Sequence, residues 1–457
     1  PFSSVSILDG VVKAAGERTK VLYARGLPTL PDMIRATRFS TAASGGEPGM
    51  QAEYFATPDL SGKPVLTRVE ARVEIGTSVN GPWFPEGTLS ERWTGYYHVP
   101  KEGTYDIFIG AAGDLGGLYR LFLDDELVID SWNLNKAMVD YVTLELDAGF
   151  HKVVLEHHGR QKWPGDRLEL GISRHGDRID PKVMAMAADV DVVVIAAGFD
   201  ASTESEGSDR TFRLPPGQDE LIRTMAATNN RTVVAMISGG AVDMNPWLER
   251  VPALLQTWFA GQTVGTAVAE IIFGEVNPSG RLPATFEKRW EENPAHDDYY
   301  PTPGTQRIVY EEGIFVGYRG YEKKGVAPLF AFGHGLSYTS FEYDDLEISP
   351  DSTSSGNVQV AFDLTNSGDR AGAEVAQVYI GDPHSKVPRP PKELKGFAKV
   401  SLQPGETQRV TVELNRRSFA YYDVDAKNWR VEPGVFDVLV GRSSAAIELR
   451  GKITFTE

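Results

Sequence analysis

The sequence predicts an α/β domain on a parallel sheet, interrupted by an all-β block and followed by a second β-sandwich. Three patterns carry that reading. Between 180 and 335, apolar runs of strand length alternate with segments of helical period. From 47 to 178, apolar and other residues alternate in short runs separated by turn signals. The same alternation returns from about 341 to 457. A chain of 457 residues is too long for one ordinary domain, and about three are expected.

Residues 1–40 open the α/β domain, with a helical stretch through Leu8-Asp9-Gly10-Val11-Val12 and the strand-like Lys20-Val21-Leu22-Tyr23-Ala24. Residues 40–50 are rich in Ser, Ala and Gly and read as a linker. In the block at 47–178, Tyr105, Ile107 and Ile109 alternate with other residues, as do Tyr119, Leu121 and Leu123. Its aromatics (Tyr54, Phe55, Trp83, Trp93, Tyr96, Tyr97 and Trp132) are expected to fill a sandwich core; lining a sugar site is the other use of such a set.

The α/β pattern resumes over 180–340. Residues 191–197 form an apolar run expected to be a parallel strand covered on both faces. From Gln218 onward, Leu221, Ile222, Met225 and Ala226 share one helical face. Residues 232–238 and 253–259 read as further strands, and a helix follows through 267–272. Strand, loop and helix in repetition mean a parallel sheet. The block at 47–178 interrupts this domain and so reads as an insertion. Over 341–457, Val358, Val360, Phe362 and Leu364 alternate, as do Phe436, Val438 and Val440. Turn signals at Asn366-Ser367-Gly368 and Pro404-Gly405 complete an immunoglobulin-like or fibronectin-type pattern.

The formal net charge of -17 argues against nucleic acid or an anionic membrane as partner, since both are polyanions. It suits a neutral substrate such as a sugar, and equally plain solubility. No apolar run approaches the roughly 20 residues that span a bilayer. Without cysteine there is neither a disulfide nor a thiolate metal site, and either redox environment is tolerated. Pro1 is no initiator residue, so the chain is expected to have been processed or trimmed, and its compartment stays open.

Ligands of open parallel sheets bind beyond the carboxyl ends of the strands. The loop after 191–197 packs Asp200, Glu204, Glu206, Asp209 and Arg210 into eleven residues beside glycines. Clustered carboxylates raise one another's pKa, as a general acid working near neutrality requires. A solvated acidic loop is the plainer use of the same residues. His157-His158 beside Glu156 lies on an apparent strand, with a zinc site as the lesser reading.

The segment Glu204-Ser205-Glu206-Gly207-Ser208-Asp209-Arg210, followed by Leu214-Pro215 and Gln218, resembles the acid/base loop of glycoside hydrolase family 3. Trp258-Phe259-Ala260-Gly261-Gln262 and Gly274-Glu275-Val276-Asn277-Pro278-Ser279-Gly280-Arg281-Leu282-Pro283 are similar to later motifs of that family. So are Tyr310-Glu311-Glu312-Gly313-Ile314, Phe332-Gly333-His334-Gly335-Leu336-Ser337-Tyr338, and Arg389-Pro390-Pro391-Lys392-Glu393-Leu394-Lys395-Gly396-Phe397. The resemblance runs in order along nearly the whole chain. It implies an α/β-sandwich domain over 1–40 and 180–340 and a fibronectin type III-like domain over 341–457. The block at 47–178 resembles a protective-antigen-type β-sandwich, opened by Gln51-Ala52-Glu53-Tyr54-Phe55.

The resemblance implies a retaining exo-β-glucosidase with Glu206 as acid/base residue and Glu204 as fallback, the loop being oriented by Asp209 and Arg210. The family's nucleophile is an aspartate of a preceding (β/α)8 barrel near a Ser-Asp-Trp motif. That tripeptide is missing here, so the barrel is the expected partner and this chain half an active site. The substrate class is a β-glucoside or oligosaccharide. The inserted sandwich would wall the aglycone side, with Trp83 and Trp132 as candidate aglycone contacts. No cofactor and no metal is implied: adhesins with this domain hold calcium through adjacent aspartates, and here Leu115 follows Asp114. His334 and the residues 313–319 are expected to be structural, and self-association stays open. Two rivals remain: another family 3 β-glycosidase such as a β-xylosidase, or a non-catalytic carbohydrate-binding fragment.

Overall fold

The computed structural model describes residues 3–17, 19–75, 88–112, 118–132, 137–158, 167–206, 209–302, 305 and 307–456. The chain divides into two units: residues 22–238 with 244–259, and residues 1–21 with 239–243 and 260–457.

The chain opens with α1 (Ile7–Ala15), of the second unit. The first unit begins with α2 (Leu30–Ala36), whose N-cap Thr29 and Asp32 satisfy each other's backbone N–H groups as a capping box. Then come β1 (Phe39–Ser40), β2 (Met50–Phe55), β3 (Leu66–Glu70), β4 (Glu74–Ile75), β5 (Ser90–Val99), β6 (Gly103–Ala112), β7 (Tyr119–Leu123), β8 (Glu126–Asp130), β9 (Val139–Leu146), β10 (Gly149–His158) and β11 (Arg167–Arg174). Among the described residues they form a seven-stranded sheet, β3-β2-β5-β10-β7-β8 with β1 on β5, and a four-stranded sheet, β4-β11-β6-β9. The period of two sends Trp93, Tyr105, Ile107, Ile109, Leu121 and Leu155 into one core between the sheets. Tyr54, Phe55 and Trp93 are buried as the sequence predicts, and the indole N–H of Trp93 donates to Glu70 at 2.7 Å. Trp83 lies outside the described residues.

The outer face of the four-stranded sheet is also covered. Phe108 on β6 and Tyr141 on β9 stand opposite each other there and pack with Met33 and Ile34 of α2. Residues 40–50 are not a free linker. Phe39 is buried, β1 pairs with Tyr97 and Tyr96 of β5, and the Gly49 N–H donates to the Phe39 carbonyl at 2.9 Å. Gly49 has φ 123° beside the Glu70 carbonyl, where a Cβ would sit 2.4 Å from the oxygen. One buried aromatic and one obligatory glycine thus fold a stretch whose composition reads as flexible.

The same unit continues with α3 (Pro181–Asp189), β12 (Val193–Gly198), α4 (Gln218–Thr228), β13 (Thr232–Ile237) and β14 (Ala253–Gln256). The three strands pair in parallel, in the order β12-β13-β14. Ile222 and Met225 on α4 are buried, as their spacing predicts. Cover on both faces, expected at 191–197, belongs instead to the middle strand: Val234, Ala235 and Met236 are fully buried, whereas Ala196 is exposed. A strand at the edge of the sheet has less to pack against. Residues 20–24 form no strand, and Leu22 and Tyr23 are exposed, because strand propensity is realised only where a ladder and a buried face are supplied.

In the second unit, α1 packs against α5 (Val264–Ile272). Gly10 and Gly265 make that approach possible: a Cβ on Gly265 would lie 1.9 Å from the Ser6 carbonyl oxygen, and one on Gly10 2.0 Å from that of Gly265. After α6 (Tyr318–Lys324), strands between Phe341 and Phe455 build a β-sandwich of a three-stranded and a five-stranded sheet with one apolar core. A mixed α/β region followed by a terminal β-sandwich is therefore the observed architecture, and the described residues include no (β/α)8 barrel. Gly333, with φ 81°, accepts a hydrogen bond from the Gln377 side chain on a sandwich strand, and the His334 ring stacks on Phe330. Tyr318 accepts from the Leu394 N–H at 2.9 Å.

Gly265→Ala is expected to destabilise the chain by about 1–3 kcal/mol through overpacking of the α1–α5 crossing. Urea denaturation followed by circular dichroism measures it; an unchanged midpoint would show that the helices part at no cost.

Candidate active site

The candidate loop starts where β12 ends. Gly198 has φ 135°, and a Cβ there would lie 1.9 Å from the Ile237 carbonyl oxygen, so only glycine lets the chain leave the sheet at this point. Gln218, the first residue of α4, accepts from the Gly198 N–H at 2.7 Å and donates to its carbonyl at 2.8 Å. One side chain thereby ties the loop's beginning to the helix that ends it. Phe199 is buried and donates its N–H to Ile237. Asp200 then closes a turn: its carboxylate accepts from the N–H and hydroxyl of Ser202, and its carbonyl accepts from the N–H groups of Thr203 and Glu204.

Arg210 pairs with Glu204, its Nε 3.1 Å from Oε2. The same guanidinium lies over the Phe199 ring, 4.5 Å from its centroid. Arg210 therefore draws the two arms of the loop together. Asp200 and Glu204 each have partners of their own. Glu206 is exposed.

The loop's second arm rests on the four-stranded sheet. The Asp209 carbonyl accepts from the Met138 N–H at 3.0 Å. The Leu214 carbonyl accepts from the Tyr141 hydroxyl at 2.9 Å. Arg213 stacks on Tyr141, 4.0 Å from the ring centroid, and donates to Thr143 Oγ1 at 2.9 Å. Thr143 donates in turn to Asp106 at 2.6 Å, and Asp106 pairs with the buried Arg178 at 2.7 Å. Arg178 also faces Glu220 of α4, at 3.6 Å. Burial pushes the Asp106 carboxyl up, but its contacts with His175, Arg178 and Thr143 outweigh this and hold it below its ordinary value.

The sequence reading did not single out Asp106, Tyr141, Thr143, Arg178 or Arg213. A signal was present: Phe108 and Tyr141 are apolar residues in the register that should face water. Trp258, which opens one of the family motifs, stands just past the carboxyl end of β14 with a φ of 57°, strained in a bulky residue. Trp132 is half-buried, its indole under the Arg120 guanidinium at 4.3 Å and beside the His158 ring at 4.2 Å. His157 turns to the core and pairs with Glu91 at 2.7 Å, whereas Glu156 on the other face bridges Arg92 and Arg120. The residues of the lesser zinc reading thus diverge, and no group of three or more metal-ligating side chains occurs among the described residues. Asp114 and Leu115 lie outside them.

Residues 2–318 match the Glycosyl hydrolase family 3 C-terminal domain. The chain belongs to glycoside hydrolase family 3. Residues 374–444 match a fibronectin type III-like domain. Among the family 3 relatives, a β-glucosidase of Rhizobium radiobacter is 37% identical over 477 residues, covering 99% of this chain and 55% of that protein. Thermostable β-glucosidase B of Acetivibrio thermocellus is 42% identical over 304 residues, 64% of this chain and 40% of its own. The chain thus spans roughly half the length of these curated relatives. The β-glucosidase of Kluyveromyces marxianus, crystallised with glucose, superposes with a TM-score of 0.64 at 29% identity, over 100% of this chain and 56% of that one. DesR, a β-glucosidase of Streptomyces venezuelae in complex with D-glucose, gives 0.65 at 30% identity, over 99% and 53%.

Asp106→Asn is expected to cost about 3 kcal/mol at pH 7, because it leaves Arg178 buried beside a neutral amide. The folded-state pKa of Asp106 is depressed, so its stabilising contribution is present above the ordinary carboxylate pKa of about 4 and fades as pH falls through the folded value. Denaturation midpoints of parent and variant should therefore converge below about pH 4. A gap that persists undiminished in acid would mean the Asp106 charge is not what matters.

Proposed function

We propose that this chain supplies the acid/base side of a retaining exo-β-glucosidase acting on terminal non-reducing β-D-glucosyl residues. Glu206 protonates the glycosidic oxygen as the bond breaks, then deprotonates the water that releases the glycosyl-enzyme. The nucleophile is an aspartate of a (β/α)8 barrel, a part of the family that this chain does not span. The observation that carries the reading is Glu206 itself: an exposed carboxylate in the loop that follows the carboxyl end of a parallel strand, with hydrogen bonds holding the chain on either side of it. Relatives that are β-glucosidases, two of them crystallised with glucose, favour a glucoside. Glu204, engaged with Arg210, serves as a strut of the loop, and Asp209 lends its carbonyl to the same purpose.

The sandwich between 47 and 178 is, in this reading, a protective-antigen-type insertion that walls the aglycone side of the pocket. The contact between its Met138 and Asp209 supports that position. Trp132 starts the segment that leads to Met138; packed by Arg120 and His158, it offers an aglycone less than a whole indole face. Trp83 keeps its place as a second aglycone candidate.

By itself the chain should not turn over aryl β-glucosides, and combined with the family's barrel portion it should recover activity. Appreciable hydrolysis by the purified chain alone would overturn the division of the active site. A panel of aryl glycosides on the assembled enzyme then separates a glucosidase from a xylosidase.

In that enzyme Glu206→Ala should slow substrates with poor leaving groups far more than an activated aryl glucoside, which departs without proton transfer. Added azide should partly rescue the second step. The Glu206 carboxyl should lie roughly 5–5.5 Å from the barrel aspartate. If Glu204→Ala shows the leaving-group pattern and Glu206→Ala is nearly silent, the role moves two residues.

A further inference from the structure

We propose that Tyr141, Thr143 and Arg213 are positioning residues for the acid/base loop, so that the inserted sandwich sets where Glu206 stands. The proposal rests on the reading of Glu206 given above. Among its described residues the stretch from 199 to 217 has no helix or strand, and a loop of that length is costly to hold in one conformation. Its first arm is fixed within the α/β layer, through Gly198, Phe199 and the Asp200 turn. Its second arm meets the sandwich at Asp209, Arg213 and Leu214, and all three partners come from the short segment 138–143. In sequence Glu206 lies between Glu204, which pairs with Arg210, and Asp209, three residues on.

The contact geometry is directional. A hydroxyl has one proton to give; Thr143 gives its own to Asp106, so a lone pair is left facing the Arg213 guanidinium. Asp106 is held by Arg178, which also faces Glu220 on α4. The position of the loop's second arm is therefore referred back to the helix that follows it, through the sheet of the inserted domain. Arg213 adds planarity: its guanidinium lies on the Tyr141 ring while it donates at its edge, which lysine cannot reproduce. Tyr141, almost buried, uses its hydroxyl on the Leu214 carbonyl. A carboxyl that must deliver a proton to one oxygen loses rate steeply when displaced, about 100-fold for 1 Å.

The test compares Arg213→Lys and Tyr141→Phe with the parent in the full-length enzyme, each checked for an intact thermal transition. The expected result is a fall of about tenfold in kcat/KM, which reports bond cleavage, for an alkyl glucoside and of less than about twofold in kcat/KM for a dinitrophenyl glucoside. A merely structural role would lower both substrates equally, through the amount of folded enzyme, and that outcome overturns the proposal, as do unchanged rates. Hydrogen exchange of this chain alone gives an independent measurement. Faster exchange confined to 199–217 supports the proposal; exchange unchanged there, or raised throughout the sandwich, overturns it. Should Glu206→Ala lack its leaving-group signature, the reading of Glu206 falls by itself, and the positioning claim is then decided by the exchange data.

Discussion

The first unit depends on a buried charge that has to be satisfied. Arg178 is buried where the outer face of the four-stranded sheet meets the α/β layer, with Asp106 from the sheet on one side and Glu220 from α4 on the other. Removing either carboxylate would leave a guanidinium in a poor solvent, at a cost of several kcal/mol. Phe108 and Tyr141 flank the pair and bury apolar area against α2, so slippage of the sheet would expose rings as well as strand a charge. Within the first unit, this ion pair joins the four-stranded sheet to the α/β layer.

The consequences reach the candidate site by short steps. Glu220 lies two residues after Gln218, which holds Gly198 at the start of the loop. Asp106 lies across the sheet from Thr143, which holds Arg213 near the loop's end. Both arms are therefore fixed to one polar network, while Glu206 between them remains exposed. A general acid needs both properties, because proton transfer demands a defined position and a substrate demands access. The acidic run of the sequence suggests a different means, carboxylates tuning one another. In the structure two of these carboxylates help to build the loop: Asp200 makes the turn and Glu204 pairs with Arg210.

Legibility in the sequence followed the range of the interactions. Alternation at Tyr105, Ile107 and Ile109 places them in a core because strand period is local and every second side chain shares a face. The helical face of Ile222 and Met225 is read as easily. Residues 40–50 misled because composition records neither the pocket that takes Phe39 nor the carbonyl that crowds Gly49. Residues 20–24 misled in the opposite sense, since a strand-like run without a ladder partner stays irregular. Gly198, where the loop leaves the sheet, and Gln218, whose side chain binds the Gly198 backbone, show why residue types at fixed spacing are readable there.

By itself, then, the sequence determined the order of α/β and β-rich segments, which residues face inward, and the loop that carries Glu206. These follow from patterns within a few residues, where side-chain direction is set by the backbone. Only the tertiary structure decided that the four-stranded sheet has two buried faces, that Arg210 takes Glu204 as its partner, and that Arg213 meets Tyr141 and Thr143 across about 70 positions of chain. The reason is physical. An arginine's preference for a carboxylate or a ring is the same everywhere in a sequence, and which one it finds depends on surfaces that exist only after the sheets have packed.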